Sequence, residues 1–405
     1  MRNSEPILFK SKSLSKQLIV LLAAASALGP AAMQILLPAL PIIKDSFSVS
    51  TDVAQLTLSL SMLAIAIGTL FYGPVSDKYG RKPVMLFGII ITIFGSFFCY
   101  FADSIFWLIL GRFIQAFGGA VGLVLARAIV RDVYGAEEAA RVIATLVMVM
   151  VVVPMMSPAL GVELMDRFSW ESIFLIIALA SSVIFVFLIC ALPETLVTPA
   201  NFEGVNSMLT TFAKLLHSRV FCGYAFCVTF VSVVFFSFIS AVPEIMLSVL
   251  SRPPVEYGYY FMMLPLGFMI GNYVARHFGK SMSIDNMIAV GGITAILGII
   301  IAIILNLAGI SHPLSLFIPI SIAVLGNGIT LPNAQAAAIN EFPQYAGSAS
   351  GLTGFLQMTV SAIAAQLVAF IFNGTVFPLL ILMLLASVLS LYVFKWGVKW
   401  ETETS

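Results

Sequence analysis

Residues 73–83 read GPVSDKYGRKP, placing one acid, Asp77, among the bases Lys78, Arg81 and Lys82 between two long apolar segments. Charges that dense are costly beside hydrocarbon, so the segment is expected to be a short loop at a membrane face. Its chemistry is ion pairing. An aspartate there can sit at the amino end of a neighbouring helix, where unpaired N–H groups and the positive dipole end favour an anion. A second charge lies deeper. Arg112 stands about six residues inside an apolar run, roughly 9 Å by helical rise, and an arginine there must face protein or a water-filled cavity. Gln115, at the i+3 position, shares its side of the helix. Asn327, Asn333 and Gln357 are further mid-depth amides that need partners. Arg127 lies near the end of its run and can snorkel; it reads either as structural or, with Asp132, as an inner gate. No nucleophile–base pair, metal cluster or Walker motif is found, so neither an enzyme nor an ATP-driven machine is expected.

These residues must be positioned by membrane helices. The chain is 60% hydrophobic and 10% charged, against about a quarter charged in soluble proteins, so water alone is not its solvent. A net charge of +1 gives no reason to expect nucleic acid or an acidic partner. Cys99, Cys190, Cys222 and Cys227 lie in or beside apolar runs and read as buried fillers, and His217, His277 and His312 stand apart, so no metal is expected. The first apolar stretch, reaching Ile43, exceeds the core of about 7–15 residues of a signal peptide and reads as a retained span.

A helix needs roughly 20 apolar residues to cross the hydrocarbon. Twelve segments qualify: 18–43, 53–74, 83–102, 106–130, 139–162 and 170–191, then 220–249, 256–276, 286–309, 313–338, 348–372 and 376–397. The longest polar stretch separates the sixth from the seventh, giving a domain at 1–192, a cytoplasmic linker at 193–219 and a second domain at 220–405. With the N-terminus inside, inner segments hold fifteen Lys and Arg and outer loops three, which sets both termini in the cytoplasm. The halves echo each other: GNYVARHFGK at 271–280 follows the eighth span as GPVSDKYGRK follows the second, without the aspartate.

The 73–82 pattern resembles the loop between the second and third helices of major facilitator superfamily transporters. Leu110 to Gln115 resembles the family's fourth-helix arginine motif. Pro154 with Ser157 to Gly161 is similar to the fifth-helix motif of its antiporters, and Ala191 to Thr195 to the end of its sixth helix. ARAIVRD at 126–132, Ser169-Trp170 and GSASGLTGFLQ at 347–357 look like the Bcr/CflA drug-resistance subfamily. The resemblance implies an all-α membrane fold of twelve helices, in two pseudo-symmetric six-helix bundles around a central cavity. It implies a monomeric secondary transporter in the bacterial inner membrane that works by alternating access on a small molecule, needs no cofactor and exports by proton antiport. Gly73, Asp77, Lys78, Gly80, Arg81 and Lys82 would form a gate latch, with Asp77 held toward the eleventh helix at 347–350 and oriented by Arg81. Pro154, Pro158 and Gly161 would kink and pack the fifth helix at the domain interface. Arg112 would line the cavity, bonded to first-helix backbone or to substrate.

The sequence departs from the subfamily at Gln34. An aspartate usually precedes the Leu-Pro-Ala-Leu-Pro run, here Leu37 to Pro41, and glutamine has no proton to release near neutral pH. Arg112 then lacks a counter-charge, which makes an anionic carboxylate-bearing metabolite or siderophore a second expectation for the substrate. Proton coupling would otherwise use an edge acid such as Glu163 or Asp132, or be absent.

Overall fold

The computed structural model describes residues 16–196, 204–279 and 281–404. Lys280 of the repeat echo, and the N-terminal bases Arg2, Lys10 and Lys12, lie outside them. The first crossing is α1 (Lys16–Gln34) followed by a 3₁₀ turn (Leu37–Ala39) and a short α2 (Leu40–Ser46). Pro38 and Pro41 lack the donors a continuous helix would need there, and the crossing breaks accordingly.

The expected loop at 73–83 is mostly helix. α3 (Thr51–Tyr79) runs through Pro74 to Tyr79, and α4 (Arg81–Tyr100) begins two residues later. Gly80 alone makes the turn, at a φ of +100° that side chains rarely adopt. Next come α5 (Ile105–Arg167) and α6 (Ser172–Ala191).

The helix α5 holds both the fourth and fifth expected spans. Drawn straight it would reach about 94 Å. Yet Arg112 bonds Ala32 and Gly161 abuts Ile35, only three residues further along the chain. Arg127 likewise lies against Met150, with its Nη2 3.9 Å from Sδ. The helix therefore reverses between Arg127 and Met150 into two antiparallel limbs.

The linker carries a helix where a polar stretch was expected. α7 (Gly204–His217) sets Leu215 into a cluster with Phe221 and Ala225. The second half continues as α8 (Arg219–Ser248), α9 (Pro254–Phe261), α10 (Met263–Phe278), α11 (Ile284–Leu307), α12 (Leu314–Asn340), α13 (Ala346–Ile371) and α14 (Phe377–Thr404). The expected eighth span is interrupted at Met262, between α9 and α10. Among the described residues ten helices are long and apolar enough to cross a membrane. The other two expected crossings are the return limb of α5 and the α9–α10 pair.

Packing repeats between the halves. α5 takes α1, α3 and α4 against it, and α6 lies on α4; α12 takes α8, α10 and α11, and α14 lies on α11. Equivalent close approaches recur. A Cβ on Gly118 would stand 2.6 Å from the Gly88 carbonyl oxygen, and one on Gly291 equally close to that of Gly326. The halves meet through α3 on α13 and α5 on α9. Cys99, Cys222 and Cys227 are buried, but Cys190 is exposed on α6, where the apolar surround is the bilayer rather than protein.

Candidate functional site

Arg112 is 1% exposed. It lies in the first limb of α5 opposite the last turn of α1, whose carbonyls lack partners within their helix. Its Nη1 donates to the Ala32 carbonyl at 3.2 Å and to Gln115 Oε1. Gln115, also buried, donates from Nε2 to Ser96 Oγ at 2.7 Å, and Ser96 passes the chain to the Thr92 carbonyl. The guanidinium carbon stands 6.0 Å from the centre of the Phe174 ring, within cation–π range. Nε has no partner, and no carboxylate lies within 4 Å among the described residues. Arg112 and Gln115 thus form an enclosed node inside the first half. Of the two expected partners, it holds first-helix backbone.

The remaining predicted polar residues do not converge on that node. Gln34 ends α1 with a buried Oε1 that has no partner. Asn327 is buried and donates to the Val231 carbonyl of α8 at 3.3 Å. Asn333 bonds back to Ile329 in its own helix at 2.7 Å, and Gln357 is half-buried on α13.

The Gly73–Pro83 end, called the loop end here, holds a compact charge cluster. Asp77 and Arg81 pair at 2.5 Å as i,i+4 neighbours. Arg81 also reaches Asp132 from Nε at 2.8 Å and Ser76 Oγ from Nη1 at 2.6 Å. Asp132 therefore pairs with Arg81, not with Arg127, so the Arg127–Asp132 gate is not formed; Arg127 has only its thioether contact among the described bonds. Lys78 is exposed, 5.0 Å above the Tyr79 ring. The carbonyl of Gly73 accepts from Ser76 Oγ at 2.8 Å.

Glu194, in the stretch that resembles the end of the sixth helix, completes this cluster. It accepts the backbone N–H groups of Arg81 at 2.9 Å and Lys82 at 3.1 Å, capping α4, and those of Thr195 and Leu196. Lys82 Nζ donates in turn to the Ile189 carbonyl at 2.8 Å. Burial pushes the Glu194 carboxyl up, but the four backbone donors outweigh it and hold it below the usual carboxylate range. The stabilisation is present above the unfolded carboxylate's pKa and is lost as pH falls through the depressed folded one. Glu194→Ala should cost ~1 kcal/mol, the worth of a lost N-cap, read as a lower Tm at neutral pH that converges with wild type in acid.

The two ends of the molecule differ. Asp77 remains 44% exposed and bonds nothing in 347–350. Added side chains at Gly347 or Gly354 would meet no atom within 4 Å, and one on Gly351 would meet only Leu70 of α3, at 3.9 Å. At the loop end α3 and α13 therefore touch lightly, and no side-chain bond among the described residues joins them there. At the far end they are joined. Gln366 of α13 donates from Nε2 to the Asp52 carbonyl at 2.8 Å and accepts from Ser59 Oγ at 2.8 Å. Lys44 of α2 and Glu244 of α8 pair there at 2.9 Å. In the return limb of α5, Pro154, Pro158 and Gly161 are buried, and Ala159 lies against Gly258 of α9.

A helical membrane bundle of two similarly packed halves, bonded through side chains at one end and only lightly touching at the other, is built to pass a solute rather than to transform one. The pattern of the Major Facilitator Superfamily matches residues 22–365, and the chain belongs to that family. It is a multi-pass membrane transporter, not an enzyme. It is 30% identical to the "uncharacterized MFS-type transporter YdgK" of Bacillus subtilis over 93% of this chain and 94% of that one. It is 27% identical to a bicyclomycin resistance protein homolog of Haemophilus influenzae, again over 93% and 94%. The multidrug resistance protein MdtL of Escherichia coli is 26% identical over 90% of this chain and 91% of its own. Among solved structures, a bacterial homologue of the human lysosomal transporter Spinster, inward-facing and unoccupied, superposes with a TM-score of 0.71 at 16% identity over 94% of both chains.

Proposed function

We propose that this transporter exports drugs or drug-like metabolites by alternating access in antiport with protons. The observation that carries it is the pair of unequal ends: Gln366 and Glu244 bind the first half at the far end, while Asp77 stands free of α13 at the loop end. The fifteen-to-three excess of Lys and Arg supports a bacterial inner-membrane protein with the loop end and both termini in the cytoplasm. On that reading the described state opens inward. The rocking bodies are 1–192 and 220–405, linked by 193–219, in a monomer.

When the cavity turns outward, α3 and α13 close at the loop end and Asp77 meets the start of α13. Tyr345, just before that helix, supplies no side-chain cap; the Ala346 N–H is taken by the Pro343 carbonyl, and the N–H groups that follow it are the ones a carboxylate would meet. The names carried by the bicyclomycin-resistance and multidrug-resistance relatives support drugs as cargo. An anionic cargo would require Arg112 to face open space; its enclosure removes that support. Gln34 cannot carry the proton, which falls instead to acids at the span ends.

Full-length protein in vesicles with an imposed pH gradient should discharge the gradient when bicyclomycin or a cationic drug is added. Uptake of a carboxylate-bearing solute with no drug-dependent proton movement would overturn this reading.

A further inference from the structure

Five ion pairs occur among the described residues. Asp77–Arg81, Arg81–Asp132 and Glu163–Arg167 lie in the first half and Arg252–Glu256 in the second. Lys44–Glu244 alone joins the halves, across 200 positions of sequence. Its side chains are 22% and 13% exposed, so salt and water screen it less than a surface pair. Both partners are placed by prolines. Lys44 sits on α2, the short helix left by the break at Pro38 and Pro41, and Glu244 follows Pro243 within α8.

The Gln366 amide lies in the same seam and spends both its ends on α3. Between these contacts is a cavity of about 20 Å³, lined by Lys44, Gln55, Ser240, Glu244 and Ala365 with other apolar side chains. That volume holds about one water molecule. Gln55 is 4% exposed, and its Nε2 has no protein partner, an expense that a bound water removes.

We propose that Lys44, Glu244 and Gln366 are the outer gate of the transporter, with Gln55 holding one water in the closed seam. The proposal rests on the alternating-access reading and adds the contacts that the outward-opening step must break. Parting α2 and α3 from α8 and α13 separates two opposite charges that are poorly hydrated where they stand, and strips Gln366 of two bonds at once. These three side chains thereby set the balance between the closed and open outer faces. The loop-end latch opposes them from the other side of the membrane.

The gate is testable by labelling Ala365→Cys with a membrane-impermeant maleimide added outside, in vesicles holding the full chain, with modification read at that site by mass spectrometry because Cys190 is also exposed. Glu244→Gln should speed labelling about fivefold, the population change expected from losing a pair of modest strength. Gln366→Ala should act in the same direction. Lys44→Glu alone should label fast, and Lys44→Glu combined with Glu244→Lys should return to within about twofold of the parent, which a merely misfolded single variant would not allow. Unchanged labelling in Glu244→Gln, or a swapped pair as fast as Lys44→Glu, would overturn the gate. The same vesicles are assayed for drug-driven discharge. Restored labelling without discharge in any variant overturns the export reading and leaves the gate standing; discharge with labelling indifferent to all four variants overturns the gate alone.

Discussion

Asp77→Asn should lower turnover about tenfold while the protein still folds and inserts. Asparagine keeps the shape of aspartate and one of its acceptors but removes the charge. In the described state that charge is partly spent on Arg81, at 2.5 Å, and Arg81 is itself held by Asp132 and Ser76. The cluster therefore survives the change through Asp132. What is lost is the anion offered to α13, whose start has no side-chain cap and open space at Gly347. A carboxylate at a partly buried helix start is worth up to ~2 kcal/mol. At 1.36 kcal/mol per decade, losing most of it shifts the outward-facing population about tenfold. Turnover in vesicles measures the effect, and cross-linking between the end of α3 and the start of α13 should fall in parallel. Arg81→Lys should do almost as much damage, because a point charge cannot hold Asp77, Asp132 and Ser76 together as the guanidinium fork does. Turnover of Asp77→Asn within twofold of wild type would remove the latch from the mechanism.

The span count and the half-to-half echo were legible because a bilayer demands long apolar runs and little else can satisfy it. The sequence was less informative wherever a local rule met tertiary context. Charge suggested a loop at 73–83, but α3 continues to Tyr79 and Asp77 pairs with Arg81 of α4 across the turn at Gly80, the one residue there that tolerates it. The polar linker concealed α7, whose apolar side is recognisable only once Leu215 has Phe221 and Ala225 to pack on. The charge cluster could be anticipated in part. Asp77 and Arg81 share a short motif, whereas Glu194 joins them from 113 positions away, signalled only by its place in Ala191 to Thr195. Nothing in the sequence joined Lys44 to Glu244, since no periodicity links residues 200 apart.

Arg112→Met should leave the chain folded and cost more than about tenfold in transport. Two large terms oppose each other at this position. Removing the guanidinium strands Gln115 Oε1 and the Ala32 carbonyl, at ~1–3 kcal/mol for each buried acceptor left unmet. It also removes a buried charge that no carboxylate balances among the described residues, and such a charge costs several kcal/mol in a low-dielectric interior. The Phe174 face returns only ~2 kcal/mol of that. The terms nearly cancel, and methionine fills the space, so Tm should move little. A charge expected to contribute so little to stability, at the place where α1, α4, α5 and α6 meet, is the one whose loss should be read in transport rather than in melting. Its bond to Ala32 ties α5 to the turn where the first crossing breaks, next to Gln34 and ahead of the helix that carries Lys44. The expected loss of transport would run through movement of that turn. Melting and turnover, measured on the same preparation, decide it: a fall in Tm with turnover per folded molecule unchanged makes Arg112 a structural tie, and lost turnover at constant Tm makes it part of the machine.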